Sequence, residues 1–149
     1  MWTTGLAGLN FILVWRCIKM TDLLLKFVEE LGSNESFWSS QNRGRKGGSE
    51  EKKVGSSNIR SLAVLANNAD CYEELRLFIE YKIAKGNGWD EKFKGDRVFG
   101  DEILHYMDKI YNMCDKNDRE ALKNISKFFG YLYWKVCAIE SEKKRSKRE

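Results

Sequence analysis

The chain has 149 residues and a formal net charge of +4, with 42% hydrophobic and 32% charged residues. This balance excludes a disordered chain, and the length is sufficient for one domain with a buried core. The sequence contains no proline. Because proline breaks helix interiors and is common in the turns of β proteins, its absence favours an all-α fold.

The positive charge is concentrated in two segments. Residues 41–53 and residues 141–149 each hold five basic and two acidic residues, which leaves a net charge of −2 for the rest of the chain. Segments of this kind improve solubility or contact polyanions such as nucleic acid. The four cysteines are far apart and there is one histidine, so no zinc pattern is present. We therefore expect a cytoplasmic protein without a metal or other cofactor.

Residues 1–19 form an apolar N-terminal segment. Its strongest apolar run, residues 5–15, has eleven residues, whereas a spanning helix needs roughly 20. Arg16 and Lys19 follow this run, although a secretory signal has its basic residues in front. Met20 opens a second segment with a natural helix cap at Thr21 or Asp22. We interpret residues 1–19 as an extension, with Met20 as a candidate start; the alternative is a short amphipathic arm that docks on a partner.

The remaining elements predict a single-domain helical bundle of four to five helices over residues 20–140. Residues 32–55 are rich in glycine and serine and have no hydrophobic period, which is typical of a flexible basic linker. Residues 86–98 are predicted to be a loop, and residues 141–149 a disordered basic tail. The helical periodicity is found outside these segments, over residues 21–31, 56–69, 70–86, 99–114 and 118–140.

The last helix has two different sides. Its apolar stripe, expected in the core, consists of Leu122, Ile125, Phe129, Leu132, Val136 and Ile139. Lys127, Tyr131 and Lys135 follow one another at four-residue spacing on another side. Single-stranded RNA is bound by cations along its backbone and by aromatic rings that stack on bases. The side therefore fits an RNA-binding surface, although a solvated helix face shows the same pattern.

Other cations can extend this surface. Arg60 lies in the first turn of its helix, where a positive charge is slightly unfavourable and hints at an external anion. Lys82 and Lys85 lie away from the apolar face of the third periodic segment. The candidate RNA-binding residues are Arg60, Lys82, Lys85, Lys127, Tyr131 and Lys135.

The sequence carries no pattern that predicts an enzyme. Arg97 and His105 lie further apart than the arginine and histidine of helical ribonuclease domains of the HEPN type, and no second histidine is present. The adjacent carboxylates diverge on a helix, and the GRKGGS run lacks the phosphate-loop pattern. We expect no catalytic residue.

Three segments resemble the small helical subunit of type III-A (Csm) CRISPR effector complexes. SSNIRSL resembles the family's T/S-S-Q-I-R-K/N segment, and LRLFIEYKIAKG resembles its K-x-x-L-A-Y-x-x-x-R segment, with Lys85 near the arginine position. KFFGYLYWKVCAI is similar to its closing F-x-x-F-F-E-A-I-V-A-Y-H-K-Y helix, without the final A-Y-H-K-Y. The matches follow the family's order over residues 56–140. The small subunit of the related Cmr-type complexes is the second resemblance.

The resemblance implies a non-catalytic bundle that stabilises a filament of subunits in antiviral defence. Such a subunit contacts guide and target RNA without reading sequence, is present in more than one copy, and does not associate with membranes. By motif position, Arg60, Lys85, Lys127 and Lys135 would face RNA phosphates. The alternative function is a helical protein–protein adaptor that binds no nucleic acid.

Overall fold

The fold is a helical bundle with a small β-hairpin, as seen in a computed structural model that describes residues 4–40 and 54–149. Within these residues the elements are α1 (Thr4–Gly32), α2 (Glu35–Ser40), α3 (Ser56–Asn68), α4 (Tyr72–Lys85), β1 (Lys92–Lys94), β2 (Arg97–Val98), α5 (Phe99–Met113) and α6 (Asp118–Ser146). The all-α, single-domain prediction is confirmed. The described part of the chain contains six helices, one more than the upper end of the predicted number.

Helix α6 lies at the centre of the bundle. Its predicted stripe is buried from Leu122 to Val136, and Ile139 packs against the edge of the core. Helices α1 and α3 make the most extensive contacts with it. Helix α3 runs antiparallel to α6, because Ser126 Oγ donates a hydrogen bond of 2.8 Å to the Ala63 carbonyl while Glu140 Oε2 accepts one of 3.1 Å from Ser56 Oγ. The core therefore forms around one amphipathic helix.

A cluster of aromatic rings joins the predicted linker to the rest of the bundle. Phe37 of α2 stacks on Phe99 of α5 with 4.8 Å between ring centroids, and it meets Phe93 of β1 edge-on at 5.0 Å. Trp38 is buried as well, and its indole nitrogen donates a 2.9 Å hydrogen bond to the Leu31 carbonyl. Residues 33–40 are therefore part of the fold.

Four boundaries differ from the prediction. Helix α1 continues through Met20, so no helix begins at Thr21 or Asp22. The linker prediction was wrong for residues 35–40, which form α2 because two large aromatic rings reach the core; residues 41–53, with the basic RGRKGG run, lie outside the described residues. The loop at residues 86–98 contains the antiparallel hairpin of β1 and β2. The predicted disordered tail is helical up to Ser146, the last residue of α6.

Two glycines position the hairpin and α5. Gly86 ends α4 with φ of +80°, as expected for a residue that terminates a helix. Gly100 lies in the first turn of α5, where an added Cβ would be 2.1 Å from Ile83 Cγ1. The start of α5 can therefore approach the end of α4 only without a side chain at residue 100.

Truncation of Phe129 tests the central position of α6. Phe129 is fully buried, so Phe129→Ala is expected to lower the free energy of unfolding by about 3–5 kcal/mol. Trp134→Ala on the same helix is the matched control: its side chain is 66% exposed, and the loss is expected to be below about 1 kcal/mol. Chemical denaturation measures both, and equal losses would contradict the assigned orientation of α6.

Two buried tyrosines make the fold sensitive to alkaline pH. Burial raises the pKa of Tyr106 above its usual value of 10, and its hydrogen bond to Glu30 Oε2 (2.8 Å) adds to the shift. Burial and a hydrogen bond to Asp108 raise the pKa of Tyr72 in the same way. Below pH 10 both tyrosines are protonated in the folded and unfolded chains. Above it the unfolded chain loses these protons first, so the stability contributed by each tyrosine falls as pH rises.

We therefore expect the free energy of unfolding to decrease above about pH 10, by about 1.4 kcal/mol per pH unit for each tyrosine. Tyr106→Phe should make this decrease less steep, while costing about 1 kcal/mol near neutral pH through the lost hydrogen bond. Urea denaturation at a series of pH values measures both effects. Parallel pH curves for the wild type and the variant would contradict the prediction.

Candidate nucleic-acid interface

Helix α3 and the middle of α6 contain no carboxylate. Glu140 lies at one end of their contact, against Ser56, and Asp70 and Asp118 line a cavity with Lys123 at the other end. Helix α3 contains no acidic residue, and α6 has none between Ala121 and Ile139. These stretches are antiparallel neighbours, with Ala63 beside Ser126. About five turns of α6 and the whole of α3 therefore contain no acidic residue.

Three cations lie along this surface. Lys123 and Lys127 of α6 are exposed and form no ion pair with the described residues. Arg60 of α3 is exposed too, and its guanidinium carbon lies 5.8 Å from the centre of the Tyr133 ring of α6. An arginine held over an aromatic ring keeps its N–H donors available at the ring's edge, where they can bind phosphate.

Aromatic rings lie next to these cations. Trp134 is 66% exposed, and the half-buried Tyr131 ring lies 5.6 Å from it at an interplanar angle of 49°. Lys127, Tyr131 and Trp134 follow one another at spacings of four and three residues, which places them on one side of α6. We call the exposed surface that extends from Arg60 and Tyr133 at the α3 edge, across Lys123, Lys127 and Trp134, to Tyr131 at the opposite edge the basic–aromatic face. Tyr131 and Tyr133 lie about 200° apart around α6 and therefore mark its two edges.

Lys135 lies outside the basic–aromatic face. Its Nζ donates to both carboxylate oxygens of Glu29 at 3.1 Å, which links α6 to α1. Its aliphatic part packs against Gly32, where an added Cβ would be 2.7 Å from Lys135 Cε. The carboxylate neutralises the cation on the side of α6 that faces α1, so Lys135 acts as a contact between helices.

The two predicted lysines of α4 are also separate from the face. Lys82 lies over the Phe78 ring at 5.5 Å and Lys85 over the Tyr81 ring at 5.7 Å. Helix α4 packs mainly against α5 and has few contacts with α6. Of the six predicted residues, Lys127 and Tyr131 share the exposed side of α6, and Arg60 lies at its α3 edge over Tyr133.

Sequence reasoning did not identify Lys123, Tyr133 and Trp134 as parts of this surface. The lack of any acidic residue over residues 121–139 was a readable signal for Lys123 and Trp134, because such a long helical stretch without carboxylates is unusual in a chain with 22 of them. The contact of Tyr133 with Arg60 joins residues 73 positions apart, and only the packing of α3 on α6 reveals it.

The candidate catalytic pair has other contacts. Arg97 Nη1 donates to Glu102 Oε2 at 3.0 Å, and this carboxylate is almost fully buried at the start of α5. His105 is half-buried, with its ring 5.8 Å from the Tyr106 ring. Among residues 4–40 and 54–149, no three histidine, cysteine, aspartate or glutamate side chains are grouped closely enough to hold a metal ion.

In comparisons with known protein families, curated proteins and solved structures, nothing matched the chain. The function is therefore argued from its own residues and their arrangement.

Proposed function

We propose that this chain is a non-catalytic RNA-binding subunit that contacts the backbone of single-stranded RNA without reading its sequence. The observation that carries the proposal is the basic–aromatic face, on which exposed cations and aromatic rings lie on two neighbouring helices, with carboxylates at its two ends only.

The face has the two features that single-stranded nucleic acid requires. Phosphates are attracted by Arg60, Lys123 and Lys127, and no acidic side chain of α3 or of residues 121–139 opposes them. The exposed indole of Trp134 offers a flat ring on which a base can stack, a contact worth about 1–3 kcal/mol. Stacking accepts every base, so this chemistry fits binding that is indifferent to sequence.

The motif resemblance supports a more specific form of this proposal. Arg60 and Lys127, both assigned to RNA phosphates by their motif positions, lie on the basic–aromatic face. We propose a small subunit of a type III CRISPR effector complex in the cytoplasm, of the Csm type ahead of the Cmr type, that binds guide and target RNA beside other subunits. Lys135 contributes to the bundle in this assignment, and Lys82 and Lys85 lie on a second surface of the subunit.

A second candidate function is a helical protein–protein adaptor that binds no RNA. The observation that favours it is the amount of exposed apolar surface: six large apolar side chains between Phe11 and Ile18 of α1 are more than half exposed. Soluble chains rarely expose such a patch unless it contacts another molecule. The two functions differ in whether RNA binds to the basic–aromatic face.

We expect salt-sensitive binding to unstructured single-stranded RNA of any sequence. Lys127→Glu and Arg60→Glu should each weaken binding and reduce the dependence of log affinity on log salt by about one or more. Trp134→Ala should remove about 1–3 kcal/mol of binding free energy while leaving the salt dependence unchanged. Fluorescence anisotropy with labelled RNA over a salt series measures these effects.

Two matched controls accompany these variants. Lys94→Glu reverses an exposed charge on β1, and Lys135→Met removes the cation that pairs with Glu29 while keeping its aliphatic part. Both should bind RNA about as well as the wild type. Affinity that does not change with salt, or an equal loss for Lys94→Glu and Lys127→Glu, would overturn the proposed interface.

A further inference from the structure

Residues 11–18 of α1 expose apolar side chains around the helix. Phe11, Ile12, Leu13, Val14, Trp15 and Ile18 are 52–72% exposed. Phe11 to Trp15 are five consecutive apolar residues at 100° intervals, so they cover the whole circumference of the helix, and the charged Arg16 and Lys19 follow them. Every residue from Phe11 to Lys19 is exposed, and Met20, which follows them, is buried. We call residues 11–19 the α1 arm. Within the described residues, no apolar side chains of other elements bury it.

A second uncovered apolar surface lies between α3 and α4. A cavity of about 270 Å³ opens there, and it is lined by Leu65, Ala69, Glu74, Leu75, Leu77, Phe78 and Tyr81. Leu77 is 66% exposed and Tyr81 51% exposed. We call this surface the α3–α4 groove. Its lining is apolar except for Glu74, so it suits an apolar helix better than a charged ligand.

The arm and the groove lie at the same end of the bundle. Arg16 Nη2 lies 3.0 Å from Asp115 Oδ2, which holds the base of the arm beside the turn between α5 and α6. Three residues later, Asp118 Oδ1 accepts a 3.1 Å hydrogen bond from the backbone N–H of Tyr72, the first residue of α4. The groove begins next to this residue, so one end of the molecule presents both surfaces.

We propose that the chain self-associates through this end, with the α1 arm of each copy in the α3–α4 groove of the other. Phe11 to Ile18 and Glu74 to Tyr81 each span seven helical steps, about 10 Å, so the two segments can lie side by side. A reciprocal exchange about a two-fold axis is closed, so it gives a dimer and not an open chain. It covers both apolar surfaces at once, whereas pairing of two arms would leave the groove open.

Charge complementarity fixes the direction of the arm in the groove. The base of the arm carries Lys19, and Arg16 beside it is paired with Asp115 of its own chain; the end of the groove nearest the bundle end carries the exposed carboxylates of Asp70, Glu73 and Glu74. When two copies meet end to end, the basic base of one arm faces the acidic end of the partner's groove. The apolar tip of the arm then reaches towards Phe78 and Tyr81. Opposite charges at the rim of an apolar contact set its register and favour this partner over others.

The experiment uses one variant for each surface. Ile12→Lys places a charge on the arm, and Leu77→Lys places one in the groove. Sedimentation velocity over a wide concentration range should show a dimer for the wild type, and a dimer dissociation constant raised about tenfold or more for each variant. Trp134→Lys is the matched control, because Trp134 has the same exposed fraction as Leu77 but lies on the basic–aromatic face. It should dimerise like the wild type, and circular dichroism confirms that all three variants are folded.

Mixing the two variants separates arm exchange from other contacts. The Leu77→Lys chain keeps an intact arm and the Ile12→Lys chain keeps an intact groove, so the mixture should form a heterodimer through one wild-type contact. A mixture that stays monomeric would overturn the proposal. A wild type that is monomeric at every concentration would also overturn the proposal, and so would a Leu77→Lys dimer as tight as that of the wild type. A monomeric wild type that binds anionic lipid vesicles through the arm would overturn it as well. None of these results depends on RNA binding.

Discussion

The structure depends on the burial of α6 between α1 and α3. One apolar stripe, centred on the fully buried Phe129, contacts both helices, and the exposed side of α6 is left to polar and aromatic residues. Burial of a large aromatic side chain contributes several kcal/mol, which exceeds any single surface ion pair in the molecule. The contact between Lys135 and Glu29 is therefore secondary: it directs the packing of α1 on a helix that the core has already positioned.

This arrangement also determines where the residues of the proposed RNA-binding surface lie. Because α3 packs closely along α6, Arg60 lies over Tyr133, and the cations of two helices share one surface. The same packing turns Trp134 outward, beside Tyr131. A bundle centred on another helix would scatter these groups. The proposed function thus follows from the residues that the core leaves exposed on α6, whereas the α1 arm and the α3–α4 groove are exposed apolar surfaces elsewhere on the protein.

The fold class and the core stripe of α6 could be predicted from the sequence, because 3.6-residue periodicity determines which side of a helix is buried. The structure of residues 32–40 could not be predicted from the sequence. Phe37 and Trp38 lie in a segment without hydrophobic periodicity, and their burial depends on packing against β1 and α5. The candidate site was predictable in part. Spacing placed Lys127 and Tyr131 on one side of α6, but spacing cannot show that Lys135 meets a carboxylate 106 residues away.

The most direct test of the central claim is photochemical cross-linking of the full chain to unstructured single-stranded RNA, with the cross-linked peptides mapped by mass spectrometry. Aromatic side chains that stack on bases are the ones placed to cross-link. The account predicts cross-links concentrated at Tyr131 and Trp134, and their loss in Lys127→Glu. Cross-links that instead map to α1 or α5, or a chain that forms none while it remains folded, would contradict it.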